Sequence, residues 1–402
     1  MISGAGAGTW RASNYQVSWV GIMDYSEVDA VIEGLKQAQD AETDQRQQAR
    51  EALLFVNKRD GQWEPYWWQQ CENKPRYTFD MTTPIVKQAA NEIARRSFDI
   101  KVAPADSAAS EQIAKVYDGL IRSIERRSKA KLIYNKEGRR VITCGIGGWH
   151  VKQEYVDEDA FDQELMIRPI ANYLDSVWWD LGAKMQDMSD ARHCWVLQAM
   201  QKEDYEKKYP EGSGKSLPVD RNADAYFHKA DLIIIGQIYY IKKQRVDLVR
   251  MNNGAIYADD EDFKKVVDEL AQAGIVEEER RTRLMPQVYS RLFDSEDWLN
   301  DEQETVFTKI PVIPAFGNFD LIEDKLVYRG IVERLLDPQR VFNYGKSREI
   351  EEGALAPRAK YWMTQRQASG FENTLSTLNT NADPVQFYNN DPDVPGPPQQ
   401  QG

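Results

Sequence analysis

The residues most suggestive of chemistry are the five that spell Gly212-Ser213-Gly214-Lys215-Ser216. Many phosphate-binding loops end in this pattern, in which backbone amides surround the phosphates and the lysine reaches the outer ones. The full motif also requires a glycine five residues before Gly214, and that position is Tyr209. It requires a buried strand just upstream, whereas the residues from Lys202 to Tyr209 are mostly charged. The sequence therefore predicts a loop here that binds no nucleotide.

A second glycine-rich stretch, Gly145-Ile146-Gly147-Gly148, follows an apolar run. In a dinucleotide-binding fingerprint that begins at Gly145, the third glycine would fall on His150. The stretch instead predicts a tight turn or a close approach of two backbones.

The residues that could bind metals or act as nucleophiles are few. The histidines are His150, His193 and His228, and the cysteines are Cys71, Cys144 and Cys194. None has the spacing of a zinc site. His193 and Cys194 are neighbours on a predicted strand, so their side chains point to opposite faces and cannot pair easily. We expect structural histidines, buried reduced thiols and no metal or cofactor.

Charged clusters have ordinary explanations. The run Asp259-Asp260-Glu261-Asp262 could bind a divalent ion, but acids at a helix N-terminus are the favoured interpretation. A basic cluster formed by Arg122, Arg126, Arg127, Lys129 and Lys131 is typical of a solvated helix end.

The overall charge of −13 argues against a protein that binds tightly to nucleic acid. It is compatible with an acidic wall that lets nucleic acid slide past. The first ten residues lack a signal-peptide pattern, and no run of apolar residues is long enough to span a membrane.

These residues must be positioned by a mixed set of helices and strands. Helices are predicted over 26–56 with interruptions, 84–93, 113–124, 201–209, 259–274 and 326–352, the last with a restart at Asp337-Pro338. Short strands are predicted between Trp149 and Trp195 and again before residue 310. The apolar segment 232–241 leaves a strand and a buried helix open. The chain is therefore α+β, and 402 residues suffice for two or three domains.

Several short segments have the order and spacing of a known family. They are Trp179-Asp180, the run from Ser189 to Cys194, Asp268 to Gly274, Ile310 to Pro314, Phe316-Gly317, Gly330 to Val332, Asp337 with Gln339-Arg340 and Asn343, and Gln367 to Glu372. In these segments the chain resembles the portal proteins of short-tailed bacteriophages (podoviruses), the Salmonella-phage-like portal family. The resemblance runs from about Pro84 to Pro395.

The resemblance implies a portal fold with a wing, a helical stem and an α/β clip that assembles as a dodecameric ring. Carried onto this chain, it predicts a flexible N-terminal arm (1–25), wing (26–225), first stem segment (226–245), clip (246–325), second stem helix (326–355), channel loop and wing return (356–380), and a disordered or extended tail (381–402). Related portals continue past Pro395 into a crown, so either the crown is missing or the chain is the first part of a longer protein.

The same resemblance implies a non-enzymatic channel for packaging and ejecting DNA at one capsid vertex. Its expected partners are other copies of the chain, double-stranded DNA without sequence preference, the large terminase, the major capsid and scaffolding proteins and the tail adaptor, with no membrane. The expected location is the portal vertex of the virion, after synthesis in the host bacterial cytoplasm.

The resemblance also suggests site residues. The DNA-channel candidates are Lys346, Arg348, Arg358, Lys360 and Arg366, of which Arg358 and Lys360 follow Pro357 where related portals carry a basic stretch. An ordinary basic loop, bonded to nearby acids, remains open for this segment. The clip residues expected to dock the motor or the adaptor are Asp259, Asp260, Phe263, Lys264, Lys265 and Asp268.

Two other functions compete. A nucleotide-driven or nuclease component of the packaging machinery would need a phosphate loop or a metal-binding acid cluster, for which the sequence offers only the incomplete loop at Lys215 and the acids near Asp259. A small adaptor-type scaffold protein is disfavoured by the length of the chain.

Overall fold

The structure is a computed structural model. It describes residues 23–58, 60–64, 66–67, 76–96, 100–104, 110–157, 159–219, 223, 227, 229, 231–259, 261–323, 325–355, 360–377 and 385–401. The chain forms two compact units. The first combines the residues before Leu54 with Ile85–Glu333, and the second combines Leu54–Pro84 with Arg334–Gly402.

The helices and strands follow one another as expected for an α+β chain. The helices are α1 (Val28–Asn57), α2 (Thr82–Arg95), α3 (Glu111–Arg127), α4 (Ala130–Cys144), α5 (Tyr173–Ser176), α6 (Lys202–Lys208), α7 (Glu261–Gln272), α8 (Leu336–Leu355), α9 (Gln365–Ala368) and α10 (Glu372–Ser376). The strands are β1 (Ile146–Tyr155), β2 (Gln163–Pro169), β3 (Val177–Trp179), β4 (His193–Gln201), β5 (Leu232–Met251), β6 (Ile256–Ala258), β7 (Glu277–Phe293), β8 (Gln303–Glu304), β9 (Val312–Phe316), β10 (Asn318–Ile322), β11 (Lys325–Arg329), β12 (Lys360–Trp362) and β13 (Gln399–Gln401).

The strands of the first unit form antiparallel sheets. One sheet has the order β2-β1-β9, and the larger one has the order β3-β4-β5-β7-β8 with β6 added beside β5. Strands β10 and β11 make a separate hairpin. Antiparallel pairs can have one face packed on the core and one in water, so alternating and fully buried strands both occur.

The main core of the first unit lies where α1 packs on the larger sheet. Val31 and Leu35 of α1, which are fully buried, meet Trp178, Trp195 and the β5 and β7 side chains of one hydrophobic cluster. Their i, i+4 spacing places both on one face of the helix. Burial of this face holds α1 to the sheet.

Arg46 fixes α1 to the strand β3 region from within this unit. Its guanidinium is fully buried and lies 3.5 Å from the centroid of the Trp178 ring. It donates hydrogen bonds to the carbonyls of Leu174 and Val177, the latter at 2.7 Å, and pairs with Glu42 at 2.8 Å. These partners offset the cost of burying the charge.

The glycine stretch after α4 makes the predicted close backbone contacts. Gly145 ends α4 with φ of 87°, and a Cβ there would lie 2.5 Å from the backbone of Arg329. At Gly148 a Cβ would come within 2.4 Å of the Tyr173 ring and of the Ile313 carbonyl. The expectation of a tight turn with close backbone packing is confirmed.

Strands β5 and β7 form a long ribbon with two different halves. The inner half, residues 232–241 and 288–293, is largely buried in the sheet. The outer half, residues 242–251 and 277–287, is mostly exposed and rich in charged side chains. The register runs without a shift from Gly236 opposite Phe293 to Arg250 opposite Glu279.

In the second unit, a row of polar side chains on α8 forms hydrogen bonds with the backbone of the extended segment 77–81. Gln339, Asn343 and Ser347, spaced four apart on one helix face, accept hydrogen bonds from the backbone amides of Met81, Phe79 and Tyr77 at 3.2, 2.9 and 3.0 Å. All three side chains are buried. The polar residues that contributed to the family resemblance here thus have a structural role.

The prediction of a flexible arm over residues 1–25 is wrong for its last three residues. Met23 and Tyr25 pack against the main core. The Tyr25 ring stacks on Tyr240 at a centroid distance of 4.4 Å, and its hydroxyl lies 3.0 Å from His193 Nδ1. Residues 1–22 lie outside the described residues.

The helical interpretation of the two stem segments needs correction. From Leu232 the first segment, 226–245, is the strand β5, because its β-branched and aromatic residues such as Ile234 and Tyr240 suit a buried sheet. In the second segment, 326–355, the helix begins at Leu336 instead of near 326, and β11 occupies the start. Pro338 falls in the first turn of α8, where a proline is tolerated.

The other predicted elements are confirmed within small shifts. The helices α2, α3, α6 and α7 appear where expected, and α1 is continuous instead of interrupted. Strands occur between Trp149 and Trp195 as predicted, and the last of them, β4, continues to Gln201. Within 385–401, β13 pairs with β12, and Asp391 and Val394 form an isolated bridge across a turn.

Candidate functional site

The loop around Lys215 does not have the geometry of a phosphate-binding loop. The element before it is the helix α6, and the backbone amide of Ser213 donates to the Asp294 carboxylate at 3.0 Å. The Lys215 ammonium pairs with Glu296 at 2.5 Å. Acidic groups of the protein itself therefore occupy the donors that a phosphate would need.

Within the expected clip, the helix α7 covers one face of the outer ribbon. Phe263 packs with Val249 and Met251 in a small hydrophobic cluster and stacks on Tyr257 at 5.3 Å. Phe263 is 7% exposed. Its expected role as a surface docking residue is wrong, because it forms the core that attaches α7 to the ribbon.

The charged clip candidates differ in their surroundings. Asp259 pairs with Arg280 at 2.6 Å, and Arg280 also contacts Glu277 at 3.1 Å. Lys264 and Lys265 are exposed on α7. Asp260 and the side chain of Asp268 lie outside the described residues. Asp259 thus helps to close the end of the ribbon, and the two lysines are on its surface.

The DNA-channel candidates that can be placed are all in ion pairs. Lys346 contacts Glu349 at 2.6 Å and Arg348 contacts Glu352 at 2.8 Å, each one turn along α8. Arg366 contacts Asp393 at 3.0 Å and Asp391 at 3.8 Å. These side chains have the acidic neighbours that the ordinary-loop alternative expected for Arg366.

The two remaining channel candidates cannot be placed by their side chains. Arg358 lies outside the described residues. Lys360 begins β12 opposite Gln401, and its side chain also lies outside them.

Sequence analysis missed a set of basic residues on the outer ribbon. Lys243, Arg245, Arg281 and Arg283 are exposed, and none has an ion pair with another residue in the described part of the chain. The signal in the sequence was present, since residues 277–283 are three glutamates followed by three arginines and one threonine. Without the strand register, the face on which each would lie could not be assigned.

Sequence analysis also missed a cavity of about 300 Å³ in the first unit. It is lined by His150 and Lys152 of β1, the turn after β2, Ser176 of α5, residues of β4 and Phe227. His150 is 4% exposed, and burial followed by the nearby Lys152 lowers its pKa to about 3. The imidazole is therefore neutral near pH 7.

His193 has a structural position, as expected. It is buried on β4 between Tyr25 and Asp180, with its Nε2 4.0 Å from a carboxylate oxygen. Burial lowers the pKa of His193 to about 4, while Asp180 acts in the opposite direction. Asp180 is itself fixed by Arg192 at 2.8 Å. Cys194, next along the strand, is fully buried, and burial raises its thiol pKa well above the usual value.

No group of three or more His, Cys, Asp or Glu side chains in the described ranges could hold a metal ion. Among the same residues, no helix is both long enough and apolar enough to cross a membrane.

A family model for the phage P22-like portal protein matches residues 33–402. The chain belongs to this family of portal proteins. A portal protein of Acyrthosiphon pisum secondary endosymbiont phage 1 is 27% identical over 312 residues. That alignment covers 74% of the chain and 43% of the relative, so the chain spans less than half the length of this relative.

The family match confirms the resemblance on which the portal interpretation was based. The match extends well upstream of Pro84 into α1, a region in which the sequence motifs alone had not shown the resemblance. The portal family is structural and belongs to the bacteriophage particle, and the mixed helix and sheet content is confirmed.

Proposed function

We propose that copies of this chain assemble into a dodecameric ring at one capsid vertex, through which double-stranded DNA enters and leaves. The observation that carries the proposal is membership of the portal family over residues 33–402. A head-to-tail contact repeated with a closing rotation generates a ring. The protein acts in this proposal without a cofactor, by shape and charge.

The charge distribution supports a channel that does not hold DNA tightly. The net charge is −13, and the basic side chains of α8 are already paired with glutamates. Contacts to phosphate need free cations and weaken as salt rises. A wall of this kind would let the duplex slide past.

We assign the parts of the chain as the resemblance implies. The proposed wing takes residues 26–225, the stem parts of 226–245 and 326–355, the clip 246–325, and the wing return 356–380. Most of the outer ribbon, from residue 246 onward, and α7 then belong to the clip, where the large terminase and later the tail adaptor would dock. Asp259, Lys264 and Lys265 are the clip candidates with described side chains that remain for this contact.

We further propose that Arg358 and Lys360 contact the DNA backbone during packaging or retention. They follow Pro357 just beyond α8, and related portals carry a basic stretch at this position. Repetition around the ring would place one level of cations in an otherwise acidic channel. Phosphate contacts carry no base information, so such a level would act on any sequence.

The proposed ring is tested by electron microscopy and native mass spectrometry of the purified protein and of virions. A ring with a central hole and twelvefold symmetry is the expected result. A chain that remains monomeric in every condition, including in particles, would refute the proposal.

The channel contact is tested by replacing Arg358 and Lys360 together with alanine. Ring assembly should be retained, and the amount of packaged or retained DNA should fall. The matched control is Lys346→Ala with Arg348→Ala, because those cations are paired with Glu349 and Glu352 and should matter less. Equal packaging by the first variant and the wild type would exclude the contact, while leaving the ring intact.

The proposed location is the portal vertex of the virion, in contact with the major capsid and scaffolding proteins. Immunogold labelling at a single vertex of purified particles is the expected result.

A further inference from the structure

The cavity beside β1 contains one buried polar atom that no residue in the described part of the chain satisfies, the Nδ1 of His150. Lys152 and Gln198 also line the cavity. They are partly open to solvent, and neither has a side-chain hydrogen bond or ion pair to any residue the structure describes. His150 is 96% buried by its exposure of 4%, and its Nδ1 is shielded from solvent. Buried polar atoms without partners are uncommon in folded proteins, so each one calls for an explanation.

The strand β1 directs two of these groups into one space. His150 and Lys152 are two residues apart, so their side chains leave the same face of the strand. That face looks onto the cavity, whose far side is formed by Val196 and Gln198 of β4. The opposite face of β1 carries Trp149, which packs toward α4. The two faces of β1 therefore have different surroundings, with the cavity on one side and α4 on the other.

The charges around the cavity are mainly positive. Lys152 is half-buried, and Arg168 lies directly opposite His150 on β2. Glu154, the acid that acts on Lys152, is held by Arg168 at 2.6 Å and does not form an ion pair with Lys152. Burial lowers the pKa of Lys152, Glu154 acts in the opposite direction, and Arg168 and Lys208 lower it further. A negative group placed here would relieve the cost of keeping the ammonium charged.

The cavity also has an apolar part. Ile170 is buried in its wall, and Val196 and Phe227 complete this side. Its volume of about 300 Å³ is at the lower end of the range for sites that take small organic ligands. A site with a few convergent donors and an apolar wall suits a small amphiphilic anion better than a bare ion.

We propose that this cavity is a binding site for an organic anion, with a carboxylate or phosphate group near Lys152 and His150 and a short apolar body against Ile170 and Phe227. The Lys152 ammonium forms the ion pair, and the imidazole N–H and the Gln198 amide donate hydrogen bonds. The anionic group belongs either to a free small molecule or to an acidic side chain of a second copy of this chain.

The test uses butyrate and inorganic phosphate as probes in calorimetric titrations, with chloride at the same ionic strength as the reference. The wild type should bind butyrate with saturation and with an affinity at least tenfold above that for chloride. Lys152→Met should weaken butyrate binding about tenfold to a hundredfold, because a charge-assisted hydrogen bond is lost. The matched control is Lys207→Met, an exposed lysine of α6, and it should bind as the wild type does.

A second variant, His150→Phe, keeps a buried ring and removes the unpaired Nδ1. It should also weaken butyrate binding, and circular dichroism checks that each variant is folded. Absence of saturable binding in the wild type, or equal affinities for wild type and both cavity variants, would overturn the proposal.

The two sources of the anion are separated by repeating the titration on the dispersed chain and on its assembled form. Butyrate binding by both forms identifies a free anion as the ligand. Binding by the dispersed chain alone identifies an acidic side chain of a neighbouring copy. Either outcome supports an anion site at Lys152.

Discussion

The inner and outer halves of the β5–β7 ribbon share one hydrogen-bonded register but differ in what stabilises them. In the inner half, Ile238 and Phe293 are fully buried, and Gly236 sits directly under the Phe293 ring. In the outer half, Leu284 is 55% exposed, and Arg283 lies in solvent. Strand pairing therefore continues where the hydrophobic core ends. Side-chain packing fixes the inner half, whereas backbone pairing and one small cluster under α7 hold the outer half.

The largest expected difference between the halves is the response to truncation. Phe293→Ala should lower the free energy of unfolding by about 3–5 kcal/mol, because it removes a fully buried ring and leaves a cavity. Leu284→Ala, on the same strand, should change it by less than about 0.5 kcal/mol. Urea denaturation followed by tryptophan fluorescence measures both. Similar losses would mean that the outer half is packed against something in solution.

The second expected effect is a dependence of stability on pH. It comes from His193, which lies beside the inner half of the ribbon. Its pKa is lowered to about 4 from 6.5 by burial, so only the unfolded chain takes up the proton between those values. The free energy of unfolding should therefore fall as pH drops from about 6.5 to about 4, by about 2–3 kcal/mol from this group.

The control for this pH effect is His193→Gln, which retains the other titrating groups. Its stability should depend less steeply on pH in that interval than the stability of the wild type. Parallel pH profiles for the two proteins would show that His193 is not held neutral.

The third difference concerns the space under Phe293. A Cβ at Gly236 would lie 2.4 Å from the Phe293 ring, so Gly236→Ala should destabilise the protein by about 1–3 kcal/mol. Gly119→Ala is the matched control, because it adds a methyl group to open space on the helix α3 and should stabilise the protein by up to about 1 kcal/mol. Thermal unfolding of both variants should show shifts of opposite sign.

The smallest effect is expected at the end of the outer half. Arg280→Gln removes the contacts to Asp259 and Glu277, which are exposed to solvent. The change in stability should be small, and it should fade as salt is raised from about 0.01 M to about 1 M, since screening shortens from about 30 Å to about 3 Å. A large loss that persists at high salt would show that Arg280 organises the ribbon.

The sequence predicted the parts of the fold that depend on local signals. The helix α7 has acids at its start, apolar residues on one face and Gly274 after its end, with φ of 76°. The turn at Gly145 was also predicted, because the glycine stretch lacks the third glycine of the competing motif.

What the sequence could not predict depends on contacts between distant residues. Segment 232–241 is apolar on every side, so only its pairing with β4 and β7 distinguishes a strand from a buried helix. Arg46 is polar by type yet fully buried, because Trp178 and the carbonyls near Leu174 happen to meet it. The cavity at Lys152 likewise needs β1 and β4 side by side. Of the expected site residues, Phe263 lies in the core because its side chain is apolar.

The unshifted register from Gly236 to Arg250 has a consequence for how this part of the chain can vary between relatives. Because side chains alternate between faces, adding or deleting one residue within the outer half of β7 would move Arg281 and Arg283 to the face that α7 covers, and the same change in β5 would expose Val249. Single replacements on the outer surface should therefore be tolerated, and length changes should occur in pairs of residues. Homologues should therefore differ freely in the amino acids of this segment, whereas its length should differ between them by even numbers of residues.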